Sequence, residues 1–527
     1  MQQQILDAAR PYLLRIVGPN CVGLLVPGVG LNASFAHLQP ASGGVAFLSQ
    51  SGAIVTAMLD WAEPHGIGFS HIVSLGDMAD VDFGDMLDYL GDDGATRAIL
   101  LYVEGLTAAR KFMSAARAAA RRKPVLVVKV GRHAEAARAA RTHTGALAGS
   151  DKVYDAAFRR AGMLRVDDMA ELFDALETLA TTGAQRGDRL AIMTNGGGPG
   201  VLATDALIER GGALATLSPE SLAKLDAGLP ATWSHGNPVD LVGDANAERY
   251  RLALEILLDD PGVDAVLAIN CPTAMQPPVE AARAVVEIVK KGGARLFGRN
   301  LLANWLGEHA AAAARRVFAE AGIASYETPD RAIGGFMHRV HYRRNQELLL
   351  ETPPSRAEGM EPDAEAASRV LRQALADGRE WLEPQEAAAV LRAYGIPLIE
   401  TRFAPDAAAA AEAARAIGGP VALKIRSRDI QHKSDIGGVA LNLGAPERVE
   451  REAQEMLERV RKARPTARIE GLVLQEMVQR PGALELIVGV VDDALFGPVI
   501  LFGQGGTAVE VLDDTTLELP PLNLALA

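Results

Sequence analysis

From residue 43 to about 345, short apolar runs alternate with Ala-rich stretches of helical period. Val45–Leu48, Ala98–Val103 and Val125–Val130 read as strands, and Leu87–Leu90, Lys111–Ala120 and Met169–Leu179 as parts of the helices around them. A strand apolar at nearly every position needs both faces covered. The alternation therefore predicts a parallel sheet with helices on both sides.

The plan then recurs. A strand and small-residue turn occur at Phe47-Leu48-Ser49-Gln50-Ser51-Gly52 and again at Ile192-Met193-Thr194-Asn195-Gly196-Gly197-Gly198. Tyr89-Leu90-Gly91-Asp92-Asp93 leads into strand Ile99–Val103, as Leu257-Leu258-Asp259-Asp260-Pro261 leads into Ala265–Ile269. The order is that of two related doubly wound α/β units, 36–183 and 187–345.

A polar, Pro-containing linker is expected within 346–363, around Pro353-Pro354. The third unit, 364–527, starts with helices at Ala364–Ala376 and Glu386–Tyr394. Strands follow at Val421–Ile425, Gly471–Gln475, Leu484–Gly489 and Val499–Phe502, and Ala407–Ala411 suits a surface helix. Residues 1–35 hold a helix-like segment, a strand at Leu14–Val17 and a turn, too little to fold alone.

With 49% hydrophobic residues and 52 glycines the chain has material for sizeable cores, which excludes disordered and collagen-like classes. A length of 527 residues implies about three or four domains. The net charge of −13, with no Lys/Arg block, has the wrong sign for a nucleic-acid backbone. Cys21 and Cys271 match no metal spacing and point to a reducing compartment. No apolar run has spanning length and no signal pattern opens the chain, so a cytoplasmic protein with no membrane partner is expected.

Three places carry candidate chemistry. The turns at Ser49, Gln50, Ser51 and Gly52, and at Asn195, Gly196, Gly197 and Gly198, can point backbone N–H groups at a phosphate from a helix N-terminus. Taken singly, each is better read as the tight connection that sterics demand; as a duplicated pair they could converge on one anion. His143 lies in Arg141-Thr142-His143-Thr144-Gly145-Ala146, an exposed-loop composition that serves an ordinary loop histidine as well as a nucleophile. Glu104 follows strand Ala98–Val103, where doubly wound sheets place their sites, and a carboxylate is the usual partner that fixes an imidazole. Lys424 in an apolar strand needs an anion if its head is buried. The stretch from Asp429 to Gly437-Gly438 reads either as a phosphate-facing loop or as a solvated hairpin tip. Gln475, Glu476, Met477 and Val478, after another strand, could offer backbone hydrogen bonds to an adenine, a common pattern.

Together these motifs resemble the nucleoside-diphosphate-forming acyl-CoA synthetases, relatives of succinyl-CoA synthetase. Gly18-Pro19-Asn20-Cys21-Val22-Gly23 resembles the junction that leaves the family's CoA-binding domain, and the two glycine turns its phosphate-binding helix starts. Thr142-His143-Thr144-Gly145 matches the phosphorylated-histidine loop and Tyr102-Val103-Glu104-Gly105 the partner glutamate. His432, in His432-Lys433-Ser434-Asp435-Ile436-Gly437-Gly438, takes the place of a second relay histidine, and Gly503-Gln504-Gly505-Gly506 fits the same ATP-grasp domain. The resemblance implies two flavodoxin-like doubly wound parallel-sheet domains followed by a partial ATP-grasp domain. It implies ATP/ADP, Mg2+ and CoA as cofactors, and a small carboxylic acid and its acyl-CoA as substrates. The reaction implied is acyl-CoA, ADP and phosphate to acid, CoA and ATP, reversibly, through phosphohistidine.

Against the family pattern, residues 1–35 correspond to a remnant of the CoA-binding domain, and the chain stops before the segment carrying the magnesium ligands. Glu510 and Asp513 read as peripheral, so metal ligands stay unassigned. Unfinished ends would expose apolar surface and call for a homo-oligomer or a partner chain. The Ala-rich style and domain order also resemble members fused to a GNAT-type acetyltransferase. The rival expectation is therefore a catalytically impaired module that senses acyl-CoA or nucleotide for such an enzyme. A pure binding module has no need of His143, whereas the missing ends favour the sensor.

Overall fold

The computed structural model describes residues 2–64, 66–133, 135–136, 150–181, 186–292, 300–354, 361–430, 432–478, 480–506 and 514–527. Two compact units are present, one of residues 1–353 with 486–527 and one of residues 354–485.

The first unit contains two parallel α/β sheets. One holds β1 (Gly23–Val26), β2 (Leu31–Ser34), β3 (Ser42–Ser49), β4 (Phe69–Ser74), β5 (Ala98–Val103), β6 (Val125–Lys129) and β7 (Leu164–Val166) in the order β2-β1-β4-β3-β5-β6-β7. The other holds β8 (Arg189–Thr194), β9 (Ala213–Leu214), β10 (Val239–Asp240), β11 (Ala265–Asn270), β12 (Asn300–Trp305) and β13 (Ser325–Tyr326), in the order β10-β8-β11-β12-β13 with β9 beside β8. From β3 to β7 and from β8 to β13 every pairing is parallel. Both sheets thus have the flavodoxin-like order 2-1-3-4-5, whose chain direction reverses beside the first strand. The strands are apolar and buried throughout their centres, as two-sided coverage by helices requires.

Leu14–Val17 departs from expectation. It is extended but joins no sheet: Ile16 N–H donates to Asp80 Oδ2 at 2.8 Å and Val81 N–H to the Ile16 carbonyl at 3.0 Å. Bracketed by Pro11 and Gly18-Pro19, the segment is too short for a ladder and satisfies its backbone on the 79–82 loop instead. The strands of this region lie further on and were not anticipated: β1 and β2 form a hairpin that extends the first sheet antiparallel to β4.

In the second unit β14 (Thr401–Ala404), β15 (Val421–Arg426), β16 (Val439–Leu443) and β17 (Gly471–Glu476) form an antiparallel sheet, β14-β17-β15-β16. Helices Ala407–Ile417 and Pro446–Ala463 bury Ala410, Ala414, Val449, Ala453 and Met456 against it. The helix at Ala407 is therefore amphipathic, with one face in the core.

The strands β18 (Leu486–Asp493), β19 (Gly497–Gln504) and β20 (Thr515–Glu518) form a meander belonging to the first unit. It rests on helix Asp151–Arg160, where Arg159 meets Glu518 at 2.8 Å and the Phe496 and Tyr154 rings meet edge to face at 5.3 Å.

Candidate active site

Each parallel sheet ends its first strand in a turn closed by its own hydroxyl. Ser49 Oγ accepts from Ser51 N–H at 3.1 Å and donates to the Ser51 carbonyl at 2.8 Å. Thr194 Oγ1 does the same with Gly196, at 3.0 and 3.0 Å. The residue between then ties the turn to the neighbouring strand across the reversal point. Gln50 Oε1 accepts from Glu104 N–H at 2.6 Å and Gly105 N–H at 3.0 Å. Asn195 Oδ1 accepts from Cys271 N–H at 2.7 Å, and its amide donates to the Cys271 carbonyl at 2.9 Å. The clips leave helices Gly52–Ala62 and Gly197–Glu209 starting at the C-terminal edges of their sheets, where a helix N-terminus favours an anion.

The first turn is the more furnished. Ser51 caps its helix through Ile54 N–H at 3.5 Å. At Gly52 a Cβ would lie 2.5 Å from Val22 Cγ2, so glycine there lets the Gly18–Gly23 segment cross the helix start. The same segment is anchored by Val22 N–H on Ser74 Oγ (3.1 Å) and by the Pro19 carbonyl on Asp77 N–H (3.0 Å).

Glu104 is half-buried beside Gln50. Next to it in the sheet, Lys129 ends β6 in register with Val103 and is 4% exposed. Its Nζ donates to the Val130 carbonyl and lies 4.7 Å from the Tyr154 ring centre. Burial holds this ammonium's pKa down at about 8, against the pull of the Asp151 and Glu104 carboxylates. Tyr154 Oη accepts from Leu106 N–H at 3.3 Å, so the ring under Lys129 also supports the turn that carries Glu104. Burial raises the Tyr154 phenol to about 12. His143 lies outside the described residues, as do Glu510 and Asp513.

In the second unit, Lys424 Nζ donates to Gln475 Oε1 at 2.8 Å, and the Gln475 amide donates to Thr401 Oγ1 at 2.8 Å. All three line a cavity of about 460 Å3 with Arg426, Arg428, Lys433, Glu383 and Glu470. Arg426 and Arg428 each bridge Glu383 and Glu470, at 2.6 to 3.2 Å. Met477 is held by its N–H on the Pro420 carbonyl at 2.8 Å, whereas Glu476 and Val478 are exposed. His432 is exposed on the β15–β16 connection, beside Lys433. That connection is pinned where Arg459 donates to the Gly437 carbonyl at 2.8 and 3.1 Å.

Lys129, Tyr154, Arg426, Arg428 and Thr401 were not among the residues singled out from the sequence. For Arg426 the signal existed, because a strand repeats every two residues and Arg426 shares the face of Lys424. Lys129 differs from its apolar strand only by type. A cavity of about 980 Å3 in the first unit is lined by neither glycine turn. Among its cations Arg165 meets Asp151 (2.8 Å), Arg210 meets Glu171 (3.4 Å) and Lys152 donates to Thr515 Oγ1 (3.0 Å).

Comparison with known proteins gives a consistent picture. The family described as "Succinyl-CoA ligase like flavodoxin domain" matches residues 42–179, "Ligase-CoA domain" residues 190–348, and "ATP-grasp domain" residues 373–527. Acetate–CoA ligase [ADP-forming] I of Archaeoglobus fulgidus is 39% identical over 99% of this chain and 73% of its own. 4-hydroxybutyrate–CoA ligase [ADP-forming] of Nitrosopumilus maritimus is 35% identical over 99% and 74%. A solved acetyl-coenzyme A synthetase 1 of Ca. Korarchaeum cryptofilum, in complex with phosphate and ADP, is 34% identical with a TM-score of 0.61. That match covers 67% of this chain and 76% of the other.

Proposed function

The chain belongs to the ADP-forming acyl-CoA synthetases, and from that premise we propose that it interconverts acyl-CoA, ADP and phosphate with free acid, CoA and ATP through a phosphohistidine at His143. The relatives act on different acids, acetate and 4-hydroxybutyrate, so the substrate class is a small carboxylic acid and its CoA thioester. The observation that carries the reading is Gln50 fastening Glu104 at the reversal point of the first sheet.

Phosphate held at the glycine turns attacks the thioester carbonyl, and CoA leaves as thiolate and takes a proton. A ring nitrogen of His143 then attacks phosphorus and releases the carboxylate. Glu104 accepts a hydrogen bond from the other ring nitrogen, which fixes the tautomer and steadies the growing positive charge. An ADP oxygen finally takes the phosphoryl group, with Lys424 countering phosphate charge and His432 as relay. The Gln475–Val478 strand end receives the base.

No group of three or more His, Cys, Asp or Glu among the described residues could hold a metal ion. No magnesium ligand is therefore assigned among these residues. The described helices include none long and apolar enough to cross a membrane.

Incubation with γ-labelled ATP and magnesium should give an acid-labile protein label that vanishes in His143→Ala. Equal label in that variant, or none in either protein, contradicts the reading.

A further inference from the structure

An ammonium buried to 4% exposure is costly, and the fold itself does not require one at the end of β6. The duplicated sheet makes this plain. Val103 pairs with Lys129 as Asn270 pairs with Trp305, so at the matching place the second sheet carries a fully buried aromatic ring. The residue following the matched strand is Glu104 in the first sheet and Cys271 in the second. The buried cation thus accompanies the carboxylate, and both are replaced where the carboxylate is absent.

We propose that Lys129 is a positioning residue whose charge holds the Glu104 carboxylate at the sheet edge in the orientation the phosphoryl-accepting imidazole requires. This rests on the phosphohistidine reading above. Lys129 is in register with Val103, the residue before Glu104, so the two groups stand at adjacent strand ends. The other groups facing it are Asp151 and the Tyr154 ring on helix Asp151–Arg160, and Arg165 on β7. Asp151 is already engaged by Arg165, with both carboxylate oxygens at 2.8 Å from one guanidinium nitrogen. Glu104 is the second carboxylate in the field of this ammonium, one residue beyond its in-register partner Val103. With its proton held to about pH 8, Lys129 supplies this field through neutral pH and withdraws it above.

Two measurements on the full chain test this separately from the reaction. In protein carrying 13C at the glutamate carboxyls, with the signal assigned through Glu104→Gln, the Glu104 carboxyl should titrate about one pH unit higher in Lys129→Met. An unmoved titration overturns the proposal whether or not the histidine is phosphorylated. With acyl-CoA and labelled phosphate as the label source, which reads the transfer at the glycine turns, Lys129→Met should slow label formation about tenfold at pH 7 and erase the decline in rate between pH 7 and 9. A slowed rate with the parent's pH profile would mean lost packing alone, and would also overturn it. A shifted Glu104 titration in a protein that takes up no label sinks the phosphohistidine reading and leaves the coupling standing.

Discussion

The two glycine turns of the first unit are built alike and equipped differently. Both use a hydroxyl to close the turn on itself and an amide side chain to bridge the reversal point. Even the flanking backbone bonds correspond: Leu75 N–H to the Ser49 carbonyl and Leu241 N–H to the Thr194 carbonyl, each at 2.7 Å. Around the first turn stand a carboxylate, a buried ammonium and a capping serine. Around the second stand a thiol, an indole and bare glycines, with Asp240 on the strand in register with Thr194. A thiol whose pKa is raised by burial offers no charge at neutral pH. The duplication thus separates what the fold needs, the clip and the bridge, from what chemistry adds. The second turn keeps a carboxylate on its other side, where a Cβ on Gly197 would lie 3.3 Å from Asp240 Oδ2, and has no buried ammonium at the matched strand end.

The bridge is the sharpest place to break this comparison. Gln50→Leu leaves two N–H groups without their acceptor and should cost about 2–4 kcal/mol of stability. Asn195→Leu, which strands one donor and one acceptor, should cost a similar amount by chemical denaturation. Only the Gln50 variant should lose more phosphohistidine label than its residual folded fraction explains.

Lys129→Met should go the other way and stabilise the protein by about 1–3 kcal/mol at pH 7. The folded-state pKa is depressed to about 8 from 10.5. The native state therefore binds fewer protons than the unfolded chain between those values, and native stability rises with pH across that window. The advantage of Lys129→Met should accordingly shrink from pH 8 to about 10.5, which melts in a pH series would show.

Much of this architecture was legible beforehand. Strands such as Ala98–Val103 match their predicted limits because continuous apolar runs leave a buried parallel strand little alternative. Ser49, Gln50, Asn195 and Glu104 could be placed at strand ends because a doubly wound order fixes where its sites lie. Lys129 was hidden, since a lysine at the end of an apolar strand normally reaches water and only the three-dimensional neighbours Tyr154 and Glu104 reveal that it does not. Leu14–Val17 failed for a related reason: four apolar residues encode an extended backbone, yet the partner that satisfied them was the Asp80 side chain.

Smaller substitutions probe the turns themselves. A Cβ on Gly196 would lie 2.8 Å from Cys271 Sγ. Gly196→Ala should therefore cost about 1–2 kcal/mol, and Cys271→Ala should recover most of that in a double-mutant cycle. Additive costs would show that the clash is relieved elsewhere. Ser51→Ala should cost about 0.5 kcal/mol, since its capping bond is long at 3.5 Å.

The asymmetry of the two turns is tested most directly by phosphohistidine stoichiometry in two variants that change one atom each at matched places. From acyl-CoA and labelled phosphate, Glu104→Gln should lower the rate of label formation by about 10²-fold, while Cys271→Ser should keep both the rate and the stoichiometry of the parent. Label lost in Cys271→Ser and retained in Glu104→Gln would place the chemistry at the other turn and contradict the account.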